Sequence, residues 1–312
     1  MSRSAASLLI LCLFSLGSAT CLPAQELSAD KFLDRVSAHP VGDQAERDQC
    51  LRTYLALNAG PASEVERVLP SILEHVRSGN ETRVRGYAVT FLLGIAIRPD
   101  GRSLLSSHSA DIASLLLDAD PQIQHVAIAI TDFAMDGRNR AAFVPALAKA
   151  MQRVSPRQAA SSSGPAHYDP ANDDAANIAG LLLRFGSGDP ANVAEVHAYL
   201  TRSDLTPGAK ISALNGLDGM GDLPEAIVPD LLRFYADPNL HVRVQAIMAF
   251  ANSGSKVSTT NFHNQAKKYV EQIAADENEN PKLRQLAKDA LAGRTGLNPN
   301  IDARFAATPP KP

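Results

Sequence analysis

Six segments of this chain carry apolar or small residues at one set of offsets: 0, 4, 7 and 8. They read Val84, Ala88, Phe91, Leu92; Ile123, Ala127, Ile130, Thr131; Ala175, Ala179, Leu182, Leu183; Ala209, Ala213, Gly216, Leu217; Val242, Ala246, Ala249, Phe250; and Leu283, Ala287, Ala290, Leu291. Offset 4 is Ala every time, and the starting points are 39, 52, 34, 33 and 41 residues apart. Such offsets fall on one stripe of an α-helix, so each segment predicts a helix with one buried face. A small residue at a fixed place lets a neighbouring helix come close. Each segment follows a second apolar stretch, as in Val68-Leu69-Pro70-Ser71-Ile72-Leu73, Ile112-Ala113-Ser114-Leu115-Leu116, Phe143-Val144-Pro145-Ala146-Leu147 and Ile227-Val228-Pro229-Asp230-Leu231-Leu232. Pro70, Pro145 and Pro229 read as residues near helix starts, where a missing N–H costs nothing. Asp118-Ala119-Asp120-Pro121 and Ala236-Asp237-Pro238-Asn239 read as turns between paired helices. The repeating unit is a helical hairpin. One hairpin cannot bury its own apolar face, so neighbours must stack and share a core.

The stretch from Val228 to Ala246 resembles the HEAT-repeat, armadillo-like α-solenoid family. That family's hallmark is an Asp in the turn and a Val-Arg pair opening the second helix. Asp237 and Val242-Arg243 match both halves; Val84-Arg85 and Leu283-Arg284 match the second-helix half. Asp118 and Asp204 match the turn, with Gln124 and Lys210 standing in for Arg. The resemblance covers about residues 30–292 and opens on a degenerate hairpin around Phe32-Leu33 and Cys50-Leu51-Tyr54-Leu55. It implies an all-α, right-handed α-solenoid of about seven stacked hairpins, grooved along its second helices. It also implies that Arg85, Asp118, Asp204, Lys210, Asp237, Arg243 and Arg284 form a ladder, each turn Asp accepting from the cation of a neighbouring hairpin. The planar guanidinium suits such repeated carboxylate contacts. The competing reading of these residues is an anion-binding strip.

Arg3 is the only charge before Glu26, and the apolar run from Ala5 to Leu16 follows it. A positive start, a short apolar stretch and small residues beyond describe a secretory signal peptide, residues 1–24, cut after Ala24 or earlier after Ala19. An uncleaved anchor is the alternative. Lipidation would need Cys21 as first residue, and Ser18-Ala19-Thr20-Cys21 is a poor match to a lipoprotein signal. Cleavage after Ala24 leaves Cys50 alone, so no internal disulfide can form; Cys50 shares helical spacing with Leu51, Tyr54 and Leu55 and reads as a core thiol. The expected domain is 25–292, with a Ser/Pro/Gly-rich insertion at about 155–172 and a tail at 293–312. That insertion reads as a surface loop or as a partner-contacting lid.

The chemistry-bearing residues form no convincing active site. No two of the eight histidines have the i, i+4 spacing of a helical zinc pair. His167, Asp169, Asp173 and Asp174 read as a solvated loop. Nucleophile-elbow and phosphate-loop motifs are missing, and Gly216-Leu217-Asp218-Gly219-Met220-Gly221 reads as a helix C-terminal turn. A formal charge of −3 over 312 residues argues against a nucleic-acid partner, and no cofactor is nominated. The expected protein is an exported, periplasmic or envelope-associated scaffold that binds a protein or peptide along its groove, without a transmembrane span once the signal is removed. The alternatives are an enzyme or accessory of the HEAT-like lyase type, or a purely structural envelope component.

Overall fold

The computed structural model describes residues 28–38, 43–77, 80–154, 170–217, 222–254 and 261–294. The expected signal peptide, the insertion up to residue 169 and the tail beyond Arg294 lie outside these residues. The chain forms two compact units, Met1–Ala150 and Met151–Pro312. All regular structure among the described residues is helical.

The first unit holds α1 (Ala29–Ala38) and α2 (Gln44–Ala59), then α3 (Ala62–Val76) and α4 (Thr82–Ala96). Its third hairpin opens with a broken helix, α5 (Gly101–Leu105) and α6 (Ser109–Leu115), followed by α7 (Pro121–Ala134). The break follows from serines that bond their own backbone: Ser106 Oγ donates to Ser103 O at 2.8 Å and Ser109 Oγ to Ser106 O at 2.6 Å. First helices pack α1 on α3 on α5, and second helices pack α2 on α4 on α7. The helix α8 (Arg140–Val154) carries the boundary between the units.

The second unit repeats this two-layer plan. It contains α9 (Pro170–Gly186), α10 (Pro190–Leu200), α11 (Pro207–Asn215), α12 (Val228–Leu232), α13 (Leu240–Gly254), α14 (Asn261–Ala275) and α15 (Pro281–Leu291). Second helices stack in chain order, α9 on α11 on α13 on α15, while α10 packs on α12 and α12 on α14. Capping residues start these helices where the sequence places polar-Pro pairs. Asp120, Asp189 and Asn280 accept from the N–H two residues on, each at 2.9 Å, and Pro occupies the first helical position. Thr206 caps α11 from Ala209 N at 3.1 Å.

The recurring Ala is where the helices meet. Ala88, Ala127, Ala179, Ala213, Ala246 and Ala287 are all buried, none more than 5% exposed. Two contacts are closer still. A Cβ on Gly94 would come within 2.7 Å of the Tyr54 ring, and one on Gly180 within 3.0 Å of Gly216 Cα. Gly216 therefore closes α11 and also admits α9. Each large buried ring, such as Phe32 edge-on to Tyr87 and Phe91, removes enough apolar surface for about 1.5–3 kcal/mol.

Three expectations change. Pro70 and Pro145 lie inside α3 and α8 rather than at their starts, because both helices begin several residues earlier than their apolar stretches; only Pro229 opens its helix. Leu55 is 56% exposed, whereas Cys50 and Tyr54 are buried. The stripe of α2 is instead Glu46, Cys50, Thr53 and Tyr54, which are offsets 0, 4, 7 and 8. Cys50 thus holds the Ala place of the first hairpin, and burial pushes its thiol up to about 12. Finally, α9 begins at Pro170, two residues before the expected end of the insertion.

Candidate binding surface

The second helices present two chemically distinct faces. One begins at the residue just after offset 0, where the side chain reaches back to the carbonyls ending its own first helix. Arg85 Nε donates to Val76 O at 2.8 Å, Gln124 Nε2 to Leu116 O at 2.7 Å, and Arg243 Nη1 to Asp237 O at 2.8 Å. Cations at this place also reach forward. Arg85 pairs with Asp118 of the next hairpin, Lys210 Nζ with Asp237 Oδ2 at 2.7 Å, and Arg243 Nη2 with Glu279 Oε1 at 3.0 Å. The carboxylates are held from their own side too. Asp118 Oδ1 accepts from Asp120 N at 2.9 Å, Asp237 Oδ1 from Asn239 N at 2.8 Å, and Glu279 Oε1 from Asn280 N at 2.8 Å. Arg85, Arg243 and all three carboxylates thus hold a second bond besides the one between hairpins, which leaves little for a soluble anion to gain there, although Arg243 Nε is buried without a hydrogen-bond partner.

Asp204 and Arg284 stand apart from that pattern. The matching place in α9 is Ala176, which has no cation to offer, so Asp204 pairs locally with Arg202 at 2.7 Å. The Arg202 hydrogen bond holds the Asp204 carboxyl below its usual range. Arg284 opens α15, the last described helix, and makes no ion pair among the described residues. Glu279 escaped sequence reasoning because it is a Glu, placed one residue later than the turn Asp of other hairpins. Arg83, which pairs with Glu46 and donates to Val36 O at 3.1 Å, was hidden because it precedes the repeat pattern.

Other polar groups sit between hairpins on the first-helix side. His197 Nδ1 lies 2.7 Å from Asp230 Oδ2, and His75 Nε2 lies 3.4 Å from Asp34 Oδ1. Ser253 Oγ lies 3.2 Å from His263 Nδ1, but that nitrogen is also 3.1 Å from Phe250 O. A carbonyl only accepts, so Nδ1 carries the proton there and cannot take one from Ser253. Of the loop cluster, His167 and Asp169 lie outside the described residues, and Asp174 is buried. A crevice of about 500 Å³ in the first unit is lined by Leu73, Val76, Arg77, Ser114 and the Arg85–Asp118 pair.

The opposite face of the second helices is exposed. Because α9, α11, α13 and α15 stack in order, the exposed Asn177, Asn215 and Gln285 recur along the second unit, and Gln245 of α13 donates to Asn215. In the first unit the same layer exposes Arg52, Leu55 and Asp132. Gln285 Nε2 donates to Asp289 Oδ1 at 2.9 Å and Asn215 Oδ1 accepts from Gln245, which leaves the Gln285 oxygen and the Asn215 amide N–H groups to pair with the N–H and C=O groups of an extended chain.

Stacked hairpins with Ala-lined contacts define an armadillo/HEAT-like helical-repeat fold, all-α among the described residues. No protein-family model matches this chain, and no curated protein sequence matches it either. Among solved structures it is similar to a designed armadillo repeat protein in complex with peptide (KR)4, with 14% identity, a TM-score of 0.43, and coverage of 86% of this chain and 99% of that one. A computationally designed armadillo repeat protein for modular peptide recognition shares 13% identity at TM-score 0.41, covering 85% and 98%. An engineered protein shares 14% at 0.40, covering 85% and 95%.

Proposed function

We propose that this chain is an exported, non-catalytic scaffold that binds a protein or peptide segment on the exposed face of its second helices. The observation that carries the reading is the recurrence of exposed carboxamides on three of the four stacked second helices of the second unit, Asn177 on α9, Asn215 on α11 and Gln285 on α15, with the half-buried Gln245 on α13 between the last two. A stack of near-identical helices offers chemically similar groups at regular intervals, which suits an extended polypeptide better than a compact small molecule. The ladder residues Arg85, Asp118, Lys210, Asp237 and Arg243 serve this surface indirectly by fixing one hairpin against the next. The Arg3-led apolar run supports export, and no helix among the described residues is long and apolar enough to cross a membrane.

The test is affinity capture from the native envelope fraction with the mature chain, beside a variant carrying Asn177→Ala, Asn215→Ala and Gln285→Ala. A discrete partner retained by the mature chain and lost by the variant, with unchanged thermal melting, is the expected result. Equal capture by both proteins contradicts the surface assignment. Recovery of the chain from the cytoplasm, uncut, contradicts export.

A further inference from the structure

The residue after offset 0 is a cation in α4, α11, α13 and α15, and three of the four meet a carboxylate of the following hairpin. The fourth, Arg284, is half-buried and meets no carboxylate among the described residues. Four residues further along, Val89, Ile128, Leu214 and Ile247 of the preceding second helices are buried, none above 3% exposed. The matching residue of α15 is Lys288, and it is exposed. One helical turn separates Arg284 from Lys288, so both project from the flank that in other hairpins receives a neighbour.

This flank favours one kind of occupant. A further apolar hairpin, or the apolar stripe of a second copy, would strip water from the Lys288 ammonium with no carboxylate supplied. The chain's own continuation, 295–312, offers Asp302 but also Arg304 and Lys311, so its side chains carry no surplus negative charge. We infer that the end of the last described hairpin, at Arg284 and Lys288, is a second interaction surface, one that docks an acidic segment of a partner protein. Two carboxylates about one helical turn apart on that segment would meet both cations, as Asp118, Asp237 and Glu279 meet theirs within the chain. Lys288 lies three residues from Gln285 on α15, so this surface adjoins the end of the carboxamide face; it differs in requiring carboxylates, and its test leaves Gln285 unchanged.

The experiment is fluorescence anisotropy of the mature chain, residues 25–312, with a labelled helical peptide bearing Glu pairs at i, i+4 and with its Gln counterpart. The Glu peptide should bind in a salt-sensitive way, and both the Gln peptide and the Arg284→Gln/Lys288→Gln variant should show a loss of about ten-fold or more. Arg138→Ala, at an 88% exposed side chain in the other unit, should leave binding unchanged. If the double variant melts early, Lys288→Gln alone should still weaken binding by about three-fold. Equal affinity for the Gln peptide, equal affinity in the variants, or no binding by the mature chain overturns the proposal. Tighter binding on Asp302→Asn also overturns it, because the tail would then be the occupant.

Discussion

In α13 the buried stripe is Val242, Ala246, Ala249 and Phe250, whereas in α2 the same four places hold Glu46, Cys50, Thr53 and Tyr54. Both helices pack against their neighbours through this stripe, yet one is apolar throughout and the other half polar. What they share is a small side chain at offset 4, Ala246 or Cys50, and a large ring at offset 8, Phe250 or Tyr54. The small side chain at offset 4 is therefore the repeat's strict requirement, since offset 8 ranges from Thr131 to Phe250 along the chain. Polarity is tolerated when a neighbour satisfies it: Glu46 is only 7% exposed, and Arg83 of the next hairpin supplies its partner. Hydrogen bonding to Glu46 in turn raises the Arg83 guanidinium above its usual range.

The comparison can be broken most severely in the apolar helix. Phe250→Ala in α13 should cost about 3–5 kcal/mol in chemical denaturation, because a 3% exposed ring leaves a cavity. In α2 the corresponding weakness is electrostatic. Glu46→Ala should cost about 1–3 kcal/mol by taking from Arg83 its buried carboxylate and leaving it the more exposed Glu81 at 3.3 Å, and Glu46→Gln should recover part of that loss. A loss below about 0.5 kcal/mol would mean the pair contributes nothing to stacking.

The smallest effect is expected at Cys50. Since Ala serves at this place in six other hairpins, Cys50→Ala should change stability by about 1 kcal/mol or less. The Cys50 thiol also gives the comparison a pH signature. Burial pushes it up to about 12, above the ordinary value for a thiol, so the neutral thiol is favoured in the native state. Its contribution is complete below the unfolded value and is lost as pH rises from there toward about 12. Thiol labelling at neutral pH should accordingly follow unfolding, and Cys50→Ala should flatten the alkaline fall in stability.

The hairpin repeat could be read from the sequence because helix packing imposes a fixed spacing on small residues, and that spacing survives when everything else drifts. Ala88 through Ala287 announced it, and all six are buried. Turn chemistry was equally open to inspection, since Asp120-Pro121 and Asn239 act through atoms within two or three residues of themselves. The first hairpin was harder. Reading apolarity alone assigned Leu55 to the core, whereas the stripe there uses Thr53, which accepts from Gln49, and Glu46, whose burial depends on a guanidinium 37 residues away. Contacts between hairpins were partly legible for the same reason. Arg243 finds an acid, but that acid is Glu279, and Asp204 lost its partner to Ala176. A turn carboxylate can be recognised locally; its cation can be known only from the hairpin before it.

The central claim is that the recurring charges bind hairpin to hairpin, and a double-mutant cycle on Arg85 and Asp118 tests it most directly. These side chains are 9% and 11% exposed and belong to successive hairpins. Arg85→Ala, Asp118→Ala and the double variant, compared by equilibrium denaturation, should give a coupling energy of about 1–3 kcal/mol. Coupling within about 0.5 kcal/mol of zero, with partner binding lost in either single variant, would contradict the claim and return these residues to a ligand-binding role.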